Sequence, residues 1–141
     1  MLYYSAQSIS IRTSLNRKED DVSKNEELGL PFGDGMEKVL VAFDVDGTLV
    51  GENNKPLLTL ALLEVFWTQK WKNVDVIVWS GSGANYARSM IERQTDLARG
   101  RNCWYSKLQY QELRKKYAKV VAFDDIQDTR LGDVNLIVRN K

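Results

Sequence analysis

Two aspartates stand one residue apart at the end of an apolar run in this chain of 141 residues: Asp44 and Asp46, in VAFDVDGTLV (Val41–Val50). Carboxylates that close repel each other, and burying them is costly unless an opposite charge pairs with them. Either the run ends in solvent or a cation sits there. Two further apolar runs end in polar chemistry: VDVIVWS closes on Ser80, followed by Gly81, and KVVAFDD closes on Asp124 and Asp125. One such ending is ordinary punctuation, whereas three in one domain point to a shared site. The chain has no histidine, which removes Ser-His-Asp and Cys-His catalysis and every His-containing metal site. A metal held here takes oxygen ligands, which points to Mg²⁺ or a similar hard cation.

The elements that must position these residues follow from the apolar pattern. KVLVAFD, VDVIVWS, KVVAFDD and VNLIVRN (134–140) read as short buried strands, and NCWYS as a short further one. Between them, LLTLALLEVFWTQK carries apolar residues at helical spacing, with Pro56 placed to open the helix at its first position. ANYARSMIERQTDLARG reads as a helix ending at Gly100, and KLQYQELRKKYAK as another. Apolar strands alternating with helices imply a parallel sheet of about five strands with helices on both faces. In such a sheet, ligands bind beyond the carboxyl ends of the strands, where the strand order switches. That is where all three polar endings fall.

Composition sets the outer bounds. With 43% hydrophobic and 28% charged residues the chain reads as a soluble globular protein. No apolar run approaches the roughly 20 residues of a membrane span, so no membrane partner is expected. Cys103 is the single cysteine, which fits a reducing compartment, and a cytoplasmic location is expected. Residues 1–37 hold four basic and seven acidic residues and read as a flexible leader or linker before a domain at 38–141. MLYYSAQSISIRTSL weakly resembles an organelle transit peptide; a start upstream of the domain, or a short docking strand around Ser8–Leu15, are the other readings. The segment Arg88–Lys119 is strongly basic, with nine basic and three acidic residues.

DVDGTLV, VIVWSGSG and VVAFDD, taken in this order, resemble the first, second and fourth motifs of the haloacid dehalogenase-like superfamily of phosphotransferases. The resemblance covers nearly everything from Lys38 to Lys141. It implies a Rossmann-like three-layer α/β sandwich and a Mg²⁺-dependent phosphatase working through an aspartyl-phosphate. Asp44 would be the nucleophile. Asp46 would protonate the leaving oxygen and later deprotonate the attacking water. Gly47 and Thr48 would let the chain leave the strand tightly. Mg²⁺ would be held by Asp44, by the backbone carbonyl of Asp46 and by Asp125, with Asp124 supporting the site or sharing ligation. Ser80, with the N–H groups of Gly81 and Ser82, would bind the phosphoryl oxygens. Lys107 would complete the charge stabilisation, with Lys115, Lys116 and Lys119 as rivals.

The chain also departs from the family pattern. Thr129 stands where a further acid is common and Asp128 lies one residue earlier, which leaves the role of Asp128 open. Neither 50–74 nor 83–107 has room for a cap domain, so a capless, open site is expected. An open site admits large phosphorylated substrates such as nucleic-acid ends or phosphoproteins. The basic segment, interleaved with Tyr86, Trp104, Tyr105, Tyr110 and Tyr117, is similar in layout to polynucleotide 3′-phosphatase domains and suits a phosphate backbone with stacked bases. The same pattern also suits a solvated helix face with core aromatics. Two alternatives stay open: a sugar-phosphate or nucleotide phosphatase whose site is covered by oligomerisation, and a non-catalytic binding module that keeps the fold.

Overall fold

A computed structural model describes residues 7–13 and 37–140. Along the chain it has β1 (Gln7–Thr13), β2 (Val39–Asp44), α1 (Leu58–Gln69), β3 (Val74–Ser80), α2 (Ala84–Glu92), β4 (Trp104–Ser106), α3 (Tyr110–Lys116), β5 (Lys119–Asp124) and β6 (Val134–Asn140). Single 3-10 turns lie at Glu52–Asn54, Asp96–Ala98 and Lys107–Gln109.

The strands form one mixed sheet in the order β1-β6-β5-β2-β3-β4, parallel throughout except for the β1–β6 pair. From β2 the chain builds outward through β3 and β4, then crosses to the opposite side of β2 for β5 and β6. The order therefore reverses between β2 and β5, and beyond their carboxyl ends lies the place where ligands bind in open α/β sheets.

Strand β2 is buried on both faces because its sequence is apolar on both, as a central parallel strand requires. Val41 and Phe43 face Leu60, Leu63 and Trp67 of α1 and Ala87 and Ile91 of α2. Leu40 and Ala42, one residue out of phase, face Leu113 of α3. Two helices thus cover one face and the third covers the other. Phe43 and Phe123 are partners in register and stack with ring centroids 4.5 Å apart. They lock β2 to β5 directly beneath Asp44 and Asp124.

Four sequence expectations change. The sheet has six strands rather than about five. The extra one, β1, falls within residues 1–37 and overlaps the short docking strand read around Ser8–Leu15; Gln7 pairs with Asn140 and Thr13 with Val134. Ile9 and Ile11 remain 48% and 62% exposed, as an edge strand allows. Pro56 does not open α1. It forms an isolated bridge with Val50, and the helix starts at Leu58 with its second N–H capped by the side chain of Gln7. The helix expected to reach Gly100 stops at Glu92, and Asp96–Ala98 forms a separate turn capped by Thr95. The helix expected from Lys107 begins as a 3-10 turn whose capping box joins Ser106 and Gln109. No helix among the described residues is long and apolar enough to cross a membrane.

Candidate active site at the carboxyl end of the sheet

Parallel pairing in register brings the ends of β2 and β5 side by side, so Asp44 and Asp124 meet although 80 positions separate them in the sequence. Asp44, Asp124 and Asp125 each offer a carboxylate oxygen within 4.8 Å of the other two. Asp44 and Asp124 are almost fully buried, while Asp125 is exposed. Lys107 enters this cluster from the turn after β4. Its Nζ lies 2.8 Å from Asp44 Oδ1 and 2.7 Å from Asp124 Oδ2. The other oxygen of Asp44 accepts from Thr48 Oγ1 at 3.2 Å, and Asp124 Oδ1 accepts from the N–H of Ile126 at 3.1 Å. Both oxygens of Asp124 are therefore engaged by protein donors.

The electrostatics follow from burial. Desolvation first, then the charge of Asp124, push the Asp44 carboxyl up to about 7, with Lys107 pulling the other way. Burial and then the neighbouring Asp124 also raise Asp125. Burial opposes the charge of Lys107, but Asp44 and Asp124 outweigh it and hold the ammonium above its ordinary range. With all three carboxyls ionised, one ammonium leaves an excess of negative charge, which a cation would offset. The donor set is oxygen only, as a hard cation prefers.

The loop after β2 is fixed from several sides. Gly47 has φ +81°, and a Cβ there would overlap the Asp125 carboxylate. The absent side chain is what lets Asp125 approach. The carbonyl of Gly47 accepts from Asn140 Nδ2 at 3.0 Å, and that of Thr48 from Gln7 Nε2 at 3.2 Å. Gln7 Nε2 also donates to Asn140 Oδ1 at 2.9 Å, while its Oε1 accepts from the N–H and the hydroxyl of Thr59 at 2.7 and 2.8 Å. One side chain of β1 thus ties together the loop, α1 and β6.

Asp46 stands apart from the three clustered carboxylates. Its side chain is exposed, and its Oδ1 accepts from the hydroxyl of Tyr86 at 2.7 Å. That bond, then burial, raises the Tyr86 hydroxyl above its ordinary value, so it stays a donor at neutral pH. Ser80 is buried at the end of β3, one strand from Asp44, and its Oγ accepts from the N–H of Ser82 at 3.0 Å. A Cβ placed on Gly81 would meet nothing within 4 Å. Gly81 therefore faces open space, and so does Gly83.

The fold thus gathers Asp44, Asp124, Asp125 and Lys107, brings the ends of β2, β3 and β5 to one edge, and leaves the rival lysines out. Lys115 and Lys116 close α3, and Lys119 starts β5, so Lys119 is five strand steps, roughly 16 Å, from Asp124. Asp128 is engaged by Arg130 at 2.9 Å and held below the ordinary carboxylate range by it.

Of the basic segment, Lys107 reaches the carboxylate cluster, while Arg88, Arg93 and Arg99 line one surface pocket. Arg88 pairs with Glu92, Arg99 with Asp96, and Arg114 with Asp133. Arg101 lies 4.5 Å over the Trp67 ring. Among the interleaved aromatics, Tyr105, Tyr110 and Tyr117 pack against the α3 side of the core and Trp104 against the other. Tyr86 alone of these five hydrogen-bonds a site carboxylate among the described contacts.

Sequence reasoning missed the roles of Gln7, Asn140 and Tyr86. It gave Thr48 a part in the turn but not the hydrogen bond to Asp44. Comparison with protein-family models, with curated proteins and with solved structures finds no match for this chain.

Proposed function

We propose that this chain is a Mg²⁺-dependent phosphomonoester hydrolase of the haloacid dehalogenase-like type, with a Rossmann-like core and no cap. The observation that carries this reading is the meeting of Asp44, Asp124, Asp125 and Lys107 at the switch between β2 and β5. The all-oxygen donor set fits the cation: Asp44, Asp125 and the carbonyl of Asp46 would hold it, with Asp124 sharing or supporting. Bound there, Mg²⁺ would offset the repulsion among the acids and polarise the phosphoryl group.

Asp44 attacks phosphorus, a new P–O bond forms to its carboxylate, and the ester P–O bond breaks. Asp46 gives its proton to the departing oxygen. Water then attacks the phosphorus of the aspartyl-phosphate, Asp46 takes the water's proton, and inorganic phosphate leaves as the Asp44 carboxylate re-forms. Ser80 and the N–H groups of its loop bind the transferring oxygens, and Lys107 balances the charge that builds on them. Thr48 keeps the nucleophile aimed. The exposure of Asp46, Asp125 and Gly81 favours a substrate that reaches the site from open solvent.

The test is phosphate release from an aryl phosphate, with Mg²⁺ or EDTA, for the wild type and Asp44→Asn. Phosphorylated oligonucleotides, nucleotides, sugar phosphates and phosphopeptides are run in parallel. Turnover that needs both Mg²⁺ and Asp44 is expected. Turnover that survives Asp44→Asn, or none at all from folded protein, overturns the reading.

A further inference from the structure

Asp46 carries the proton in the reaction proposed above, yet its side chain is exposed and lies outside the carboxylate cluster. An exposed carboxylate on a loop samples several rotamers, and an acid–base group that wanders loses most of its advantage. One described contact restrains it, the 2.7 Å hydrogen bond from the Tyr86 hydroxyl to Oδ1. The second oxygen, Oδ2, has no hydrogen-bond partner among the described residues. It is thus the oxygen available to a leaving group or a water.

Tyr86 is well placed to restrain another residue. It is the third residue of α2, which starts directly after the Ser80–Gly83 loop, with the N–H of Ala87 bonded to the carbonyl of Gly83. The next residue, Ala87, and Ile91 one turn on are fully buried against the core, which fixes the rotation of the helix about its axis. The Tyr86 ring is half-buried, so the hydroxyl sits at the end of a rigid arm. The same short helix therefore links the loop that would hold the phosphoryl oxygens to the group that would deliver the proton.

We propose that Tyr86 is a positioning residue that holds Asp46 by Oδ1 and leaves Oδ2 aimed at the departing oxygen. This rests on the phosphatase reading. Tyr86 exchanges no proton in the cycle; it donates one hydrogen bond throughout, and the transferred proton travels on Oδ2.

The test is Tyr86→Phe, which keeps the ring and removes the hydroxyl, measured on a series of phosphomonoesters whose leaving groups run from acidic phenols to a simple alcohol. The readout is kcat/KM, which covers every step through departure of the leaving group. An acidic phenolate leaves without protonation and an alkoxide does not. The expected result is a loss of roughly ten-fold or more on the alkyl ester, out of the 10²–10⁴-fold that acid–base help supplies, and less than about three-fold on the most acidic phenol. Asp46→Asn should steepen the same dependence, and the melting temperature of Tyr86→Phe should match the wild type. An equal loss on every ester, or no loss on the alkyl ester, overturns the role of Tyr86 while leaving the phosphatase reading intact. Absence of Mg²⁺- and Asp44-dependent turnover in the wild type overturns both.

Discussion

Lys107 places its Nζ 2.8 Å from Oδ1 of Asp44, although the two residues arrive on different strand ends with β3 between them. The ammonium also reaches Asp124 at 2.7 Å, so one cation is shared by two buried carboxylates. Removing one partner from a buried ion pair leaves a charge without compensation and costs about 3–5 kcal/mol. Lys107→Met should therefore lower the melting temperature in Mg²⁺-free buffer at pH 8. Added Mg²⁺ should recover most of that loss by supplying positive charge. Turnover should stay reduced by about 10²–10³-fold even with saturating Mg²⁺, because the stabilised charge on the phosphoryl oxygens is lost. Thermal melts and phosphate release on the same samples check both halves.

Asp44 links stability to pH. Its carboxyl titrates at about 7 in the folded chain against an ordinary value of 3.8, so the folded state binds the proton more tightly. The stabilising contribution is complete below the ordinary value and is lost as pH rises through about 7. Asp125 shifts in the same direction, whereas the Asp128–Arg130 pair contributes fully above the ordinary carboxylate value and loses its contribution only as pH falls below it. Without divalent cation, the pH 8 melting temperature of Asp44→Asn should exceed that of the wild type by several degrees. The difference should shrink at pH 5. The stabilisation given by Mg²⁺ should likewise be larger at pH 8 than at pH 5. Calorimetry of both proteins at the two pH values decides this, and a wild type more stable than the variant at pH 8 would contradict it.

Gly47 couples backbone shape to the cation site. Its φ of +81° already disfavours a side chain, and the space a Cβ would occupy is filled by the Asp125 carboxylate. Gly47→Ala should displace Asp125, with a stability cost on the order of 1–3 kcal/mol. The effect on Mg²⁺ affinity should exceed the effect on folding. Isothermal titration with Mg²⁺ alone, on protein shown to be folded, measures this directly.

Gln7 holds the Thr48 carbonyl, the first turn of α1 and Asn140 at once. Gln7→Ala should loosen the loop that carries Asp46 and unsatisfy the α1 terminus, with a cost of roughly 1–2 kcal/mol. Turnover should fall further than stability does. Hydrogen exchange should rise at Thr59, whose N–H is bonded to the Gln7 side chain. Unchanged protection at Thr59 would show that the bond does not persist in solution.

The contrast between what the sequence disclosed and what it hid has a physical basis. The central strands were legible because burial on both faces demands continuous apolar runs such as VLVAFD, and few other elements tolerate them. Asp44, Asp124 and Asp125 were legible because each ends such a run. Strand β1 was legible only as one of several readings of the first fifteen residues, because an edge strand needs little apolar signal. Tyr86 was obscure for a different reason. It stands next to Ala87 and four before Met90 in an amphipathic helix, where an aromatic reads as packing. Its hydroxyl meets Asp46 across 40 positions, a contact that no local pattern discloses. Asn140 reaches Gly47 across 93 positions, a contact fixed by strand order rather than by any local pattern.

The antiparallel pairing of β1 with β6 has a consequence for how the chain could be rewired. Gln7 and Asn140 are cross-strand partners, so their Cα atoms are separated by only about 5 Å. A two-residue Asn-Gly or Asp-Gly turn would join β6 to β1 as an ordinary hairpin. The chain could then open between β1 and β2. Such a circular permutant would keep every strand neighbour, Gln7 included, while turning the most distant pairing in the sheet into its most local one. Loop closure would cost less, and folding should quicken without change in the site.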